Sequence, residues 1–272
     1  TPTSRRRWTR PSVMPLKPFP KAILTWRSPC VLPLPPKTCH RLWQYCAHGG
    51  PENAENLLKY TASLLEGDMK WREPVPLVRA GLYWPDMEMP ALENIETHWT
   101  ENQPVAAIVF YRAMLQSGDL KPVDALIREL QSKTLNPLPI FVSSLKDDAC
   151  AELVQTHLKD AATDIILNLT GFAVASPGAD PGITPFTGAG CPVLQVILSG
   201  STENVWRTGT HGLEPRDLAM NVALPEVDGR LITRAISFKK ADNFDAECEV
   251  NIIRHDPIPD RVAFVAETAA AW

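Results

Sequence analysis

Residues 217–229 hold the most concentrated set of chemically active side chains in the sequence. An apolar helix is predicted to end against Pro225, and two carboxylates, Glu226 and Asp228, follow it before Gly229. Paired carboxylates are hard oxygen ligands for a divalent cation, and they also accept protons from a nitrogen donor that binds metal. The alternative is that Asp228 and Gly229 only form a tight turn into the next strand. Spacing alone favours the turn.

The six histidines are too widely spaced to form a local metal motif. His211 lies in a loop bounded by Gly209 and Gly212, and it is the best candidate for a functional imidazole. The sequence contains no GxxxxGK[ST] loop, no GxGxxG after a strand, no GxSxG turn and no HExxH helix. We therefore expect that this chain by itself neither hydrolyses ATP nor binds a dinucleotide.

Apolar runs alternate with amphipathic stretches from residue 49 onward. The β-rich runs predict strands over residues 77–84, 105–111, 138–142, 164–169, 192–198 and 231–238. Helical spacing predicts helices over residues 51–67, 91–99, 122–133 and 149–158. Strands joined by helices of this length build βαβ units. We therefore predict an α/β fold with a mostly parallel sheet and flanking helices, in layers like those of Rossmann or flavodoxin folds.

In such a sheet, ligands bind in the loops that follow the strands. Four of these loops are predicted to start at Arg112, Ser143, Thr170 and Ser199. They are rich in groups that bind polar ligands, although Ser, Gly and Asp also cap helices in any α/β protein. The loop from Thr170 to Gly190 consists largely of Gly, Pro, Ala and Thr, which predicts a mobile lid.

The amino-terminal segment differs in composition from the rest of the chain. Its first 50 residues contain nine Lys or Arg and no Asp or Glu, whereas residues 51–272 carry 18 basic and 31 acidic groups. Prolines without periodicity predict an irregular extension over residues 1–48 and an α/β domain over residues 49–272. Basic arms also bind nucleic acid, which we do not favour here. No apolar run is long enough to span a bilayer, and the scattered cysteines favour a reducing, cytoplasmic setting.

Six segments of the sequence resemble the large subunit of cobaltochelatase, the CobN type. They include PVAAIVFYR, LNPLPIFVSSLKD, LTGFA and LPEVDG, and they lie at residues 104–119, 135–147, 169–173, 193–196, 217–229 and 260–263. The resemblance is collinear over about residues 41–272 and is specific as a set. Two shorter cores, TGFA and LPEVDG, also resemble the large subunit of magnesium chelatase. Because members of the family are several times longer, the chain is expected to be an internal piece of a larger protein.

The resemblance implies ATP-dependent insertion of Co²⁺ into hydrogenobyrinic acid a,c-diamide, a metal-free corrinoid, on the aerobic route to cobalamin. In that scheme the large subunit binds the ring and the metal. Partner subunits of the AAA+ ATPase kind, the CobS/CobT type, hydrolyse ATP. The absence of a phosphate-binding loop from the sequence agrees with this division of labour. A fragment of such a protein is expected to be inactive by itself.

The resemblance also suggests roles for individual residues. Glu226, supported by Asp228, would receive Co²⁺ and accept protons from the ring, and His211 would add a nitrogen ligand. Arg112 and Lys146 would pair with carboxylates at the ring edge. Thr170 would also bind the ring. Three aromatic side chains would stack on the ring, namely Trp84, Tyr111 and Phe172.

Two other functions fit the same residues. The chain could bind a tetrapyrrole without turnover, or it could be a docking domain whose acidic surface meets the ATPase subunits. The position of Glu226 and Asp228 distinguishes them: a deep cleft shared with His211 favours the enzyme, whereas open solvent favours docking. Carboxylates serve cobalt and magnesium alike, so the residues alone leave a large subunit of the magnesium chelatase type open.

Overall fold

The computed structural model describes residues 34–67, 69–175 and 184–272, apart from the side chain of Glu66. Most of the predicted extension and the middle of the predicted lid therefore lie outside the described residues. The contacts divide the chain between Cys39 and His40, and His40–Trp272 is one compact unit. Helix α1 (Pro36–His48) lies within the segment predicted to be irregular. Its proline sits at the start of the helix, where the missing N–H costs no hydrogen bond.

Seven strands form one sheet. They are β1 (Ala80–Leu82), β2 (Val105–Tyr111), β3 (Asn136–Val142), β4 (Ile165–Asn168), β5 (Val193–Thr202), β6 (Leu231–Asp245) and β7 (Val250–Pro257). Their order is β1-β3-β2-β4-β5-β6-β7. The five inner strands are parallel, and the two edge strands pair antiparallel with their neighbours. The predicted α/β fold with a mostly parallel sheet is confirmed.

Helices connect most of the consecutive strands along the chain, and none lies between β6 and β7. After α1 come α2 (Pro51–Glu66), α3 (Leu92–Glu96), α4 (Arg112–Ser117), α5 (Lys121–Ser132), α6 (Asp148–Asp160), α7 (Glu203–Thr208), α8 (Pro215–Leu218), α9 (Leu224–Glu226) and α10 (Pro259–Ala271). A π-helical turn at Ala219–Ala223 joins α8 to α9. Helix α5 buries one apolar face against β3 and α10. Burial of such a face supplies most of the stability of a helix this short.

The centre of the sheet is apolar on both faces. All of β3 is buried, and β2 is buried up to its last residue, as expected for parallel strands covered by helices. Strand β3 contains Pro137 and Pro139, which have no N–H to donate. Asn136 donates its N–H toward the β2 side, to the carbonyl of Pro104 at 2.8 Å. Because N–H directions alternate along a strand, the proline nitrogens face the β1 side, where pairing begins only at Ile140.

The largest difference from the predicted elements is at the carboxyl-terminal edge. Strand β6 continues to Asp245 instead of ending near residue 238, and it pairs with β7, which the apolar pattern did not predict. Beyond Lys239, β6 pairs only with β7. Many residues in this part of the hairpin are polar or exposed. The hydrophobic alternation that identifies a half-buried strand is therefore weak here.

Candidate functional site

Two cavities lie beside the loop that follows β4, at the carboxyl ends of the parallel strands. The smaller cavity, of about 230 Å³, is lined in part by Ser144, Lys146 and Thr170. The larger cavity, of about 650 Å³, is lined in part by Lys239 and His255. This is the edge of the sheet where the strand order predicts ligand binding.

The two cavities share a wall made by Tyr111, Gly171 and Phe172. Phe172 is 46% exposed and has a φ of 64°, which is uncommon for a bulky residue. Its N–H donates to the carbonyl of Met220 at 2.8 Å. The Tyr111 hydroxyl donates to the carbonyl of Gly171 at 3.0 Å, and burial raises the pKa of this phenol. The fold thus presents an exposed aromatic ring between two cavities.

Gly171 allows the wall to approach the π-helical turn closely. A Cβ at this position would lie 3.1 Å from Oδ1 of Asn221 and 3.2 Å from the carbonyl oxygen of Met220. These distances are tighter than ordinary van der Waals contact. The glycine in the TGFA segment therefore has a packing role.

The side chain of Asp228 is buried, and its carboxylate is occupied by the protein itself. It accepts the N–H groups of Val174 at 2.8 Å and Ala175 at 2.9 Å. It also pairs with Arg230, whose Nη2 lies 2.6 Å from Oδ2, and both side chains are 1% exposed. Asp228 therefore holds the loop after β4 against the turn that follows α9. We call Asp228 and Arg230 the loop clamp.

Arg230 extends the loop clamp into the sheet. Its Nη1 donates to Oε1 of Gln195 at 2.9 Å and to the carbonyl of Thr170 at 3.3 Å. Its guanidinium also lies 5.8 Å from the ring centroid of Phe186, near the carboxyl-terminal end of the predicted lid. Burial lowers the pKa of Arg230, while Asp228 opposes that shift. The sequence does not identify Arg230 as a site residue, because nothing in the local pattern distinguishes it from any other residue that follows a turn.

Glu226 and His211 are both exposed, in contrast to Asp228. Neither is among the residues that line the two cavities. Glu226 nevertheless lies two residues from Asp228 of the loop clamp, and Met220, in the π-helical turn that precedes α9, lines the larger cavity. Among the residues that the structure describes, no group of three or more His, Cys, Asp or Glu is placed to hold a metal ion. The described residues therefore do not by themselves form a metal site with three such ligands.

The predicted ring-binding residues fall into two groups. Lys146, Thr170 and Phe172 line the smaller cavity together. Thr170 is buried, and its hydroxyl donates to Oδ1 of Asn168 at 2.8 Å. Arg112 lines neither cavity, and its Nη1 donates to the carbonyl of Leu77 at 3.0 Å. Its proposed pairing with a ring carboxylate stays a prediction.

Further polar groups line the larger cavity but were not predicted. Lys239 pairs with Asp119 at 3.2 Å, and the backbone N–H of His255 donates to the same carboxylate at 2.9 Å. Asp217 is buried and accepts the Ser199 hydroxyl at 2.5 Å. These residues come from distant parts of the chain, so local spacing carries no signal for them.

Comparison with known proteins identifies a family. The model of the CobN/Magnesium Chelatase family matches residues 43–272. The aerobic cobaltochelatase subunit CobN of Sinorhizobium sp. is 46% identical over 246 residues, which cover 85% of this chain and 19% of that protein. The protein of the same name from Pseudomonas aeruginosa is 40% identical over 240 residues, which cover 88% of this chain and 19% of that protein.

More distant matches agree with this assignment. The chloroplastic magnesium-chelatase subunit ChlH of Oryza sativa subsp. indica is 29% identical over 214 residues, covering 68% of this chain and 15% of that protein. The solved structure of the catalytic subunit of cobaltochelatase from Mycobacterium tuberculosis superposes with a TM-score of 0.69 at 26% identity. That match covers 86% of this chain and 19% of the solved chain. The present chain thus spans about a fifth of the length of its cobaltochelatase relatives.

One finding concerns membranes. No helix within residues 34–67, 69–175 and 184–272 combines the length and the apolar character needed to cross a bilayer.

Proposed function

Because the chain belongs to the CobN/Magnesium Chelatase family, we propose that it is part of a chelatase large subunit that inserts a divalent metal into a tetrapyrrole. The metal is Co²⁺ and the ring is hydrogenobyrinic acid a,c-diamide, in aerobic cobalamin biosynthesis in the cytoplasm. The 40% and 46% identity to CobN proteins, against 29% to a magnesium-chelatase protein, supports cobalt over magnesium.

The observation that carries this proposal is the exposed Phe172 ring between the two cavities. A planar macrocycle needs an aromatic surface to stack on and polar groups for its edge. Phe172 supplies the surface. Lys146 lines the smaller cavity and Lys239 lines the larger one, so they lie on the two sides of the wall that contains Phe172. Both lysines supply polar groups for the edge of the macrocycle.

Insertion of Co²⁺ into a corrin replaces one ring N–H bond with a bond between nitrogen and metal, because the corrin binds metal as a monoanion, so the site must accept one proton. In the proposed mechanism Glu226 binds Co²⁺ as it arrives and takes a ring proton, and His211 adds a nitrogen ligand. Both side chains are exposed, so a metal can reach them from solvent, but they line neither cavity, and this position by itself favours docking over the enzyme. Asp228 supports this chemistry by holding the turn, since its oxygens are already occupied.

We assign ATP hydrolysis to partner subunits of the AAA+ kind, the CobS/CobT type. The sequence has no phosphate-binding loop of the GxxxxGK[ST] form. In this proposal the partners supply the energy, and the present chain supplies part of the surface for ring and metal. By itself this chain binds the ring and the metal but does not catalyse metal insertion.

The test is titration of the purified chain with the metal-free corrinoid, followed by absorbance, with and without Co²⁺. We expect a saturable spectral change that Co²⁺ enhances. Glu226→Gln should weaken the Co²⁺ effect at least about tenfold, because loss of a metal-site residue commonly costs that much. Glu96→Gln, which changes an exposed carboxylate on α3, is the matched control and should leave it unchanged. No spectral change in the unmodified chain would contradict the proposal.

The exposure of Glu226 and His211 also favours a second function, docking of the ATPase subunits. Under this alternative, Glu226→Gln weakens capture of the partner ATPase and leaves the ring spectrum unaffected. The two functions therefore differ in what Glu226→Gln weakens. The enzyme proposal predicts a weaker Co²⁺ effect on the ring spectrum, and docking predicts weaker capture of the ATPase.

A further inference from the structure

Lys239 and Lys240 are neighbours on β6 with different environments. Lys239 lines the larger cavity, whereas Lys240 does not line it and pairs with Asp256 at 2.8 Å. Successive side chains of a strand point to opposite faces of the sheet. The antiparallel register places Lys239 directly opposite His255 on β7, so these two side chains share the cavity face. We call Lys239 and His255 the cavity pair.

The ammonium group of Lys239 is held in position by a buried carboxylate. Its Nζ lies 3.2 Å from Oδ2 of Asp119, and the side chains are 29% and 11% exposed, respectively. Asp119 is itself fixed by the backbone N–H of His255 at 2.9 Å. An ammonium group has three N–H donors, so two remain for a ligand after the bond to Asp119. Such pre-organisation reduces the entropy that ligand binding would otherwise cost.

His255 is a neutral second group on the same wall. The hydroxyl of Ser237, a fully buried residue, lies 3.0 Å from Nδ1 of His255. When this hydroxyl donates to Nδ1, the imidazole carries its own proton on Nε2 and is a hydrogen-bond donor there. Burial, reinforced by the charge of Lys239, lowers the pKa of His255 to about 4, so the ring is neutral near pH 7.

The other charged groups along this wall are either occupied or exposed. Asp217 accepts the Ser199 hydroxyl at 2.5 Å and the Gly200 N–H at 3.1 Å, so its carboxylate is satisfied within the protein. Glu214 and Arg216 also line the cavity but are exposed. Lys239 is therefore a cation whose position the surrounding fold determines.

We propose that Lys239, with His255 as a second donor, binds a carboxylate at the edge of the macrocycle and makes this site prefer free acids over amides. This inference rests on the proposed function, because it takes the larger cavity as one side of the ring site. Lysine binds a carboxylate through a charge-assisted hydrogen bond. An amide at the same position offers no net charge to the ammonium group, so that part of the interaction is lost.

The experiment compares two probes, the metal-free corrinoid with free carboxylates and the same ring with those carboxylates converted to amides. Dissociation constants are measured by absorbance on the 272-residue chain. We expect the unmodified chain to prefer the acid by about tenfold. Lys239→Met should abolish the preference, mainly by weakening acid binding, and Lys239→Arg should keep most of it. Lys240→Met is the matched control and should keep all of it.

The outcomes separate this inference from the proposed function. If the unmodified chain binds neither probe, the carboxylate inference and the proposed function both fail. If it binds the rings but Lys239→Met keeps the acid preference, or Lys240→Met loses it equally, only the carboxylate assignment is overturned. Should Lys239→Met not fold, as judged by circular dichroism, Lys239→Gln replaces it and must lose the preference in the same way.

Discussion

The loop clamp and the cavity pair show two different uses of charged side chains in one sheet. In the loop clamp, Asp228 and Arg230 are each 1% exposed, and the carboxylate accepts two backbone N–H groups besides the guanidinium. In the cavity pair, Lys239 is partly exposed and keeps donors beyond its bond to Asp119. The Asp228 carboxylate, whose oxygens are occupied within the protein, holds the structure together, and the one buried nitrogen of Arg230 without a hydrogen-bond partner, Nε, is out of reach of solvent. Lys239 is fixed but partly exposed, so its remaining N–H donors are available to a ligand.

The largest expected effect comes from breaking the loop clamp. Asp228→Ala would leave Arg230 buried without its charge partner, which typically costs about 3–5 kcal/mol. Glu226→Ala on the same turn removes only an exposed carboxylate and should change the free energy of unfolding by less than about 0.5 kcal/mol. Urea unfolding of both variants checks this. A similar small loss of unfolding free energy in both variants would show that the buried ion pair stabilises the fold no more than the exposed carboxylate of Glu226 does.

An intermediate effect is expected from acid, through the cavity pair. The pKa of His255 is about 4 when folded and near 6.5 when unfolded. Between these values the unfolded chain binds a proton that the folded chain does not, so stability rises with pH across this window and is lost as pH falls from about 6.5 to 4. We expect His255 to account for on the order of 2 kcal/mol of that loss.

The measurement is urea unfolding at pH 7, 5.5 and 4. His255→Gln should show a shallower pH dependence than the unmodified chain, because this variant lacks the titrating ring. His211→Gln, which removes an exposed imidazole, is the control and should retain the original slope. An unchanged slope in His255→Gln would contradict the assignment.

The smallest expected effect concerns the wall between the cavities. Phe172 has a φ of 64°, a conformation that costs roughly 1–2 kcal/mol for most residues and less for asparagine. Phe172→Asn should therefore raise the free energy of unfolding by about 0.5–1 kcal/mol while weakening binding of the ring. Phe244→Asn is a control at another exposed phenylalanine, one without positive φ, and should bring no gain. Loss of stability in Phe172→Asn would mean that the aromatic ring is there for packing.

The sequence predicts the inner sheet well because β2 and β3 are continuous apolar runs. Strands of this kind are typical of the centre of a parallel sheet, where both faces are covered by helices. It predicts the β6–β7 hairpin poorly. The outer residues of that hairpin are polar or exposed, and their pairing depends on register between distant positions. Local propensity is weak evidence for such strands.

The candidate site shows the same division. Glu226 and Asp228 are equivalent in the sequence, and only tertiary contacts reveal that one is buried against the loop and the other is exposed. Lys239 and His255 have no local signal, because they meet only through the antiparallel register. Lys146, Thr170 and Phe172 could be predicted together because they follow strands that end at one edge of a parallel sheet.

The bond between Lys239 and Asp119 also has a consequence for synthesis of the protein. The two residues are 120 positions apart in the chain. At a ribosomal rate of roughly 5–20 residues per second, Asp119 emerges on the order of ten seconds before its partner exists. During that interval its carboxylate is hydrated, and the wall of the larger cavity is incomplete. A nascent chain therefore completes the wall of the larger cavity only after the first five strands have been made.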